Sequence, residues 1–237
     1  MIEARRVTKS FGKLRVLDEL TLSIRPGRIT GLVGPNAAGK TTLAKIILGL
    51  TKPDSGVVEI DGLPIGGGDS YRSRIGYMPQ MARFPENLSA RELFEMLTDL
   101  RGGTGQLDDE LLRRFEFRNA LDKPIRALSG GTRQKVNAVI AFMFRPDLLI
   151  LDEPTAGLDP IASGVLKDKM LSERVRGKTF LLTSHIMSEL DELADDVAFI
   201  NDGKVAFIGA LGELKELTRQ SKLERAIAEM MKRGEAA

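Results

Sequence analysis

The chain of 237 residues contains no cysteine, a single histidine and no long apolar run. Without cysteine there is no disulfide framework, no thiol nucleophile and no thiolate-ligated metal. The absence also fits a reducing compartment. The apolar runs fall far short of the roughly 18 residues that a membrane span needs. The opening MIEARRVTKSFG has no apolar core of the kind a signal peptide carries. Neither sign of charge dominates, with 35 basic against 33 acidic side chains and a net charge of +2. That balance gives no strong pull toward nucleic acid or anionic lipid, so no nucleic-acid partner is expected. Any work at a membrane would have to be done through a docking partner.

What is present is an ordinary globular composition, 42% apolar and 29% charged, arranged in a readable order. VLDELTLSI at 16–24 alternates like a half-buried strand. ITGLV at 29–33 is a short apolar run suited to a strand buried on both faces. A Gly-rich loop and the helically spaced TTLAKIILGL at 41–50 follow, and VVEIDG at 57–62 resumes strand character. From about Pro85 the texture turns helical. Ser89 and Glu92 form a capping box, and further helices are expected at about 107–121 and 131–145, with no strand between 86 and 146. This predicts a helical subdomain inserted at 86–146 into one α/β domain spanning 1–237. LLILDEP at 148–154 and TFLLTS at 179–184 return to apolar strands with polar ends, and VAFIND and KVAFIG flank Gly203 as a hairpin. The tail from 218 to 237 places Leu223, Ala226, Ile227, Met230 and Met231 on one helical face. It either packs on the domain or binds a partner.

Gly34, Pro35, Asn36, Ala37, Ala38, Gly39, Lys40 and Thr41 fit G-x-x-x-x-G-K-[ST] between a buried strand and a helix. Backbone N–H groups of such a loop, with the helix N-terminus behind them, cradle phosphates. Lys40 can reach the β- and γ-phosphates, and the Thr41 hydroxyl can ligate Mg²⁺. LLILDEP delivers Asp152 to a strand's C-terminal end, where ligands of open α/β sheets bind. Asp152 can hold Mg²⁺ directly or through water, and the adjacent Glu153 can polarise an attacking water. His185, at the end of TFLLTS, faces the same crevice; it is either a structural histidine or a sensor of the γ-phosphate. LSGGTRQ at 128–134 offers a second anion-binding turn at a helix start.

In the order Phe11, GPNAAGKT, Gln80 in YMPQ, LSGGTRQ, LLILDEP, GLD at 157–159 and His185, the chain resembles the ATP-binding cassette (ABC) ATPases over nearly its whole length. The resemblance implies a P-loop NTPase fold, with a RecA-like α/β core, an antiparallel β subdomain and the inserted helical subdomain. It implies ATP and Mg²⁺ as ligands, with Glu153, His185 and Lys40 catalytic. Phe11 would stack on adenine with Val16 beside it, unless it is a core aromatic. Thr42 would join the loop residues around the phosphates. Thr41, Gln80 and Asp152 would serve the metal and its water network. Two cassettes of the family pack head to tail, so Ser129, Gly130 and Gly131 would touch nucleotide in trans, and Asp159 would act across the interface. The expected partners are a second ABC ATPase subunit, in a homodimer or pseudo-dimer, and integral membrane permease subunits. The chain would then sit in the cytoplasm, peripheral to the inner face of the membrane. Two positions depart from the pattern. Ala37 stands where the family often has Gly; if that position needs positive φ, alanine costs on the order of 1 kcal/mol. Thr132 stands where the signature usually ends in Gln.

Such a chain would be the ATPase subunit of a transporter, or alternatively a soluble family member such as a cluster-assembly ATPase. Between Thr41 and Leu128 there is no room for the coiled coils or zinc modules of DNA-repair members. The short segment after the hairpin is similar to exporter-type cassettes without a regulatory domain. Finally, YMPQMARFPENLSARELFEML, LSGGTRQKVNA and TSHIMSELDELADDVAFINDG are similar to the ATPases of copper-processing systems that mature nitrous oxide reductase. A general drug, lipid or ion exporter is the alternative. The stretch from Met81 to Leu93 is expected either to receive a helix of the membrane subunit on Phe84 and Leu88, or to bury both in the core.

Overall fold

The computed structural model describes residues 2–66, 70–103 and 106–235. It opens with β1 (Ile2–Phe11), β2 (Leu14–Ile24) and β3 (Ile29–Val33), then α1 (Lys40–Ile47), β4 (Ser55–Ile60), β5 (Leu63–Pro64) and β6 (Ile75–Met78). The helical stretch holds α2 (Ala90–Leu100), α3 (Glu110–Arg114) and α4 (Gly130–Phe142). The rest is β7 (Leu148–Asp152), α5 (Pro160–Val175), β8 (Thr179–Thr183), α6 (Met187–Leu193), β9 (Asp196–Asn201), β10 (Lys204–Ala210), α7 (Leu211–Thr218) and α8 (Leu223–Glu235).

These form two sheets. One is antiparallel, in the order β2-β1-β4-β5; the other runs β10-β9-β3-β8-β7-β6, parallel except for the edge strand β10. The central strands are buried on both faces because their side chains alternate between two cores. Ile29, Val33, Leu149, Leu151, Phe180, Leu182, Val197 and Phe199 point toward the helices. Leu32, Leu148, Ile150, Leu181, Ala198 and Ile200 point toward α1 and the antiparallel sheet. The tail helix takes the packed alternative: Leu223 and Ala226 are fully buried, with Met230 and Met231 packed against the same core.

The helical stretch differs from its sequence reading in one place. The capping box is there, with Ser89 Oγ accepting from Glu92 N and Glu92 accepting from Ser89 N. The helix expected at 107–121 shrinks to the five residues of α3. Asp108 Oδ1 accepts the Glu110 N–H at 3.0 Å, and Glu116 turns left-handed at φ 46°, so the segment is bounded by turns on both sides. The same segment is held to α5 by charge. Lys169, with no exposed surface, donates to Asp108 Oδ2 at 2.6 Å, Glu110 Oε2 at 2.8 Å and Glu173 Oε1 at 2.8 Å. Arg114 adds a bond to Asp168 at 2.7 Å, and Arg176 one to Glu173 at 2.5 Å. The strand β6, which leads to Gln80, is among the elements the sequence reading did not contain, with β5, α5, α6 and α7.

Candidate functional site

The loop between β3 and α1 is shaped by two glycines that admit no side chain. A Cβ on Gly34 would meet Ile200 O at 2.1 Å, and one on Gly39 would meet Leu17 Cδ2 at 2.5 Å and Val16 O at 2.8 Å. Ala37 does adopt a left-handed conformation, with φ 64°, so the strain foreseen for alanine at this position is present. Gly39 caps α1 without a side-chain bond, leaving the first N–H groups of the helix free for an anion. Lys40 Nζ curls over the loop and donates to Gly34 O at 2.7 Å and Pro35 O at 2.8 Å. Burial pulls its ammonium below the ordinary lysine value, against the opposing fields of Glu153 and Asp152.

A cleft of about 230 Å³ joins this loop to the ends of β7 and β8. Leu14, Val16, Asn36, Ala37, Ala38, Gly39, Lys40, Thr41, Thr42, Gln80, Asp152, Glu153, Thr183 and His185 line it. Asp152 pairs with Thr183 in the sheet register, and the Thr183 hydroxyl donates to Asp152 Oδ1, which holds one carboxylate oxygen in place. The Thr41 hydroxyl, the Gln80 amide and the Asp152 carboxylate offer oxygens only, a donor set that fits a small hard dication.

Glu153 is the most constrained residue of the cleft. It is buried and left-handed at φ 52°, and its N–H donates to Thr183 O at 3.1 Å. Its Oε1 lies 3.5 Å from His185 Nε2. Burial pushes the Glu153 carboxyl above the usual carboxylate range, against the opposing effect of His185. A desolvated carboxylate of raised pKa is a stronger base than a solvated one. His185 itself is largely exposed at the cleft mouth.

Of the residues expected around a nucleotide, three stand outside this lining. Gly34 and Pro35 contribute through their carbonyls to Lys40. Phe11 is 53% exposed at the end of β1, with Lys9 Nζ 5.4 Å from its ring centre. It is therefore an exposed aromatic and not a core residue.

The second anion turn lies elsewhere. Ser129 caps α4, its Oγ accepting from Thr132 N at 3.2 Å and lying 2.8 Å from Thr132 Oγ1. Thr132, in place of the usual longer Gln, thus folds back on its own cap. Gly130 has open space where a Cβ would point. Gly130 lines a different cleft, of about 610 Å³, together with Met81, Arg83, Phe84, Arg133 and Gly157. Gln80 lines both clefts and so stands between them. Phe84 is half-buried against the core while still lining this second cleft; Leu88 does not line it, and its carbonyl accepts from Ile125 N at 2.8 Å. Asp159 caps α5, accepting from Ala162 N at 2.8 Å, and lies 3.3 Å from Lys135 Nζ.

Three polar residues at the site were missed in the sequence. Thr183 fixes Asp152 from the neighbouring strand, and Gln134 and Asn137 reach the Glu153 loop and the Gln80 loop from α4. The one local signal of the two amides is their three-residue spacing on α4.

The profile of the ABC transporter family matches residues 17–156. Over 214 residues the chain is 36% identical to the Nod factor export ATP-binding protein I of Burkholderia lata, an alignment covering 88% of this chain and 70% of that protein. It is 36% identical over 234 residues to a daunorubicin resistance ATP-binding protein of Streptomyces coeruleorubidus, covering 96% of this chain and 74% of the other. Among solved structures, an ATP-binding subunit of an ABC transporter superposes with a TM-score of 0.91 at 29% identity, covering 98% of this chain and 99% of that one. A dimeric ATP-binding cassette in a post-hydrolysis state with ADP and Pi shares the fold at a TM-score of 0.79 and 24% identity, covering 89% and 99%.

Proposed function

The chain belongs to the ABC transporter ATP-binding family, and from that premise we propose that it hydrolyses ATP as the nucleotide-binding subunit of an export-type transporter. The observation that carries the reading is the convergence of Lys40, Asp152, Glu153 and His185 on one cleft beside the phosphate-type loop. The free N–H groups at the start of α1 and Lys40 receive the phosphates. Phe11 and Val16 hold the base. Thr41, Asp152 and Gln80 are the ligands offered to Mg²⁺, which when bound supplies charge neutralisation at the β- and γ-phosphates. Glu153 accepts a proton from the attacking water, and His185 orients that water against it. Ser129, Gly130 and Gly131 contact the γ-phosphate held by a second subunit packed head to tail, and Asp159 lies at that interface. The helices within 86–146 form the subdomain that carries this contact.

Export is favoured by the names of the relatives, which are proteins of Nod factor export and daunorubicin resistance. Copper-site maturation of nitrous oxide reductase rests on the similarity of three sequence stretches and is the narrower reading. A host that keeps a fully active reductase after loss of this gene would rule it out. Among the described residues no helix is long and apolar enough to cross a membrane, so permease subunits supply the passage. The cleft around Phe84 is the surface offered to them. Phe84→Asp should weaken capture of the permease without lowering ATP affinity, and undiminished capture would remove the cleft from the interface.

The decisive experiment is Glu153→Gln with Mg²⁺-ATP. The amide keeps the shape but cannot take a proton. ATP binding should persist, turnover should vanish, and a dimer should elute on size-exclusion chromatography. Wild-type turnover by this variant would end the assignment of Glu153 as base.

A further inference from the structure

Gln134 and Asn137 lie three residues apart on α4, on one face, and both side chains are buried. Asn137 Nδ2 donates to Pro79 O at 2.8 Å and to Gln134 Oε1 at 3.4 Å. Gln134 Nε2 in turn donates to Pro154 O at 3.2 Å and Glu153 O at 3.4 Å. The four amide hydrogens of the two side chains all have acceptors, and the donations run outward from Asn137 toward both ends. The chain of bonds starts at the carbonyl just before Gln80, crosses the helix that begins at Ser129, and ends on the carbonyl of Glu153. Turning the Gln134 amide over would set its oxygen against two carbonyl oxygens and its nitrogen against the Asn137 nitrogen. The arrangement therefore holds in one orientation only.

The far end of this chain is the residue whose backbone most needs support. Glu153 is left-handed without being glycine, and its N–H is already fixed by Thr183 O. Its carbonyl accepts from Ala156 N at 3.1 Å and from Gln134 Nε2 at 3.4 Å, and Gln134 also holds the next carbonyl, that of Pro154. With both sides of the peptide held, the carboxylate is held beside His185. Released on the Gln134 side, the Glu153 carbonyl keeps the Ala156 N–H while the Pro154 carbonyl loses its Gln134 donor, so the backbone can shift about that one remaining bond and carry the carboxylate away. The loop is also gripped two residues on, where the Thr155 hydroxyl donates to Glu189 Oε2 at 2.6 Å, so relaxation would be confined to Glu153 and Pro154.

We propose that Gln134 and Asn137 are positioning residues, an amide relay that sets the Glu153 carboxylate according to where α4 and the Gln80 loop stand. The proposal rests on the reading of Glu153 as the base. It gives α4 two duties: its first turn meets the partner's nucleotide, and its buried face adjusts the base of its own subunit. Closure of the dimer and readiness for hydrolysis are then linked within one rigid helix.

The test is Gln134→Met in the purified full chain, a substitution of similar length and volume that removes both donors. Turnover per folded molecule should fall between about 10-fold and 100-fold, the loss expected from misplacing a reacting group. The KM for ATP and the affinity for a fluorescent ATP analogue should stay within about twofold, because the phosphate loop is untouched. Wild-type turnover overturns the relay. So does a loss of ATP affinity in step with turnover, which would mark general damage to the site. If Gln134→Met does not fold, Asn137→Ser breaks the same chain from the other end. It should show the same split, and unchanged turnover there overturns the relay equally. Lys40→Ala, run alongside, tests the ATPase reading by itself, so a failure of the relay is not mistaken for a failure of the site.

Discussion

Lys169→Met is the substitution whose cost follows most directly from the structure. Methionine replaces the stem of the lysine at similar volume, so packing is nearly kept and the charge alone is lost. Three carboxylates then remain around the vacated position, with oxygens within 4.8 Å of one another. Removing one partner from a buried ion cluster costs about 3–5 kcal/mol. Here the lower part of that range applies, because Glu110 is 30% exposed and Arg114 and Arg176 still neutralise Glu110 and Glu173. At about 3 kcal/mol, and roughly 2–4 °C per kcal/mol for a chain of this size, the melting midpoint should drop by about 6–12 °C. The pH dependence checks the cause. The hydrogen bond to Lys169, against desolvation, holds Glu110 below its ordinary value. Asp108 is also held low, with burial opposing and the bonds to Lys169 and the Glu110 N–H prevailing. Their contribution is complete above the unfolded carboxylate pKa of about 4 and is lost as pH falls through the depressed values. Lys169 is pulled down by burial but raised further by its three partners, so its contribution is complete below about 10.4 and fades only above that. The stability gap between wild type and variant should therefore be wide from about pH 5 to 10 and narrow in acid. Calorimetry at pH 7 and pH 3 would measure it. A midpoint lowered by less than about 2 °C, or a gap that widens in acid, would refute the account.

Lys40→Ala should reduce phosphate release to background, because no other lysine or arginine lines the loop cleft among the described residues; retained turnover would remove the loop from the catalytic site. Ser129→Arg should abolish turnover while leaving nucleotide affinity of the isolated subunit within about twofold, since Ser129 does not line the loop cleft. Equal loss of both would refute action in trans. Turnover should also fall in acid. Burial first of all raises the Glu153 pKa above 4.5, so the base is protonated at a higher pH than a solvated glutamate. A kcat–pH profile whose acid limb is absent, or lies below that of ordinary carboxylates, would dissociate Glu153 from the rate.

The legible parts of the fold were those whose signal is local. ITGLV, LLILD and TFLLT are short apolar runs, and a strand covered on both faces has no other pattern to show. The capping box at Ser89 is complete within four residues. The α3 segment misled because its leucines are spaced like those of a helix. Its backbone is set instead by a lysine some sixty positions away that binds Asp108 and Glu110. The strand Ile75–Met78 is only four residues long and acquires its identity by pairing with Leu148–Leu151. At the site, the loop glycines, Lys40, Asp152, Glu153 and His185 could be read because each ends or follows a recognisable strand. Thr183, Gln134 and Asn137 could not, since each acts on a backbone or carboxylate that only the folded chain brings near.

The strand order carries a consequence for how the protein is made. β3, which launches the phosphate-type loop, has β8 on one side and β9 on the other. Both neighbours come from residues 179–201, about 150 positions later in the chain. A ribosome that has reached α5 has therefore produced Ile29–Val33 with neither of its hydrogen-bonding edges covered. Pairings over such separations form late and leave apolar edges open meanwhile. The nucleotide cleft is thus among the last features of the molecule to exist, and a nascent chain stalled before Thr179 would have the loop sequence without a place to bind ATP.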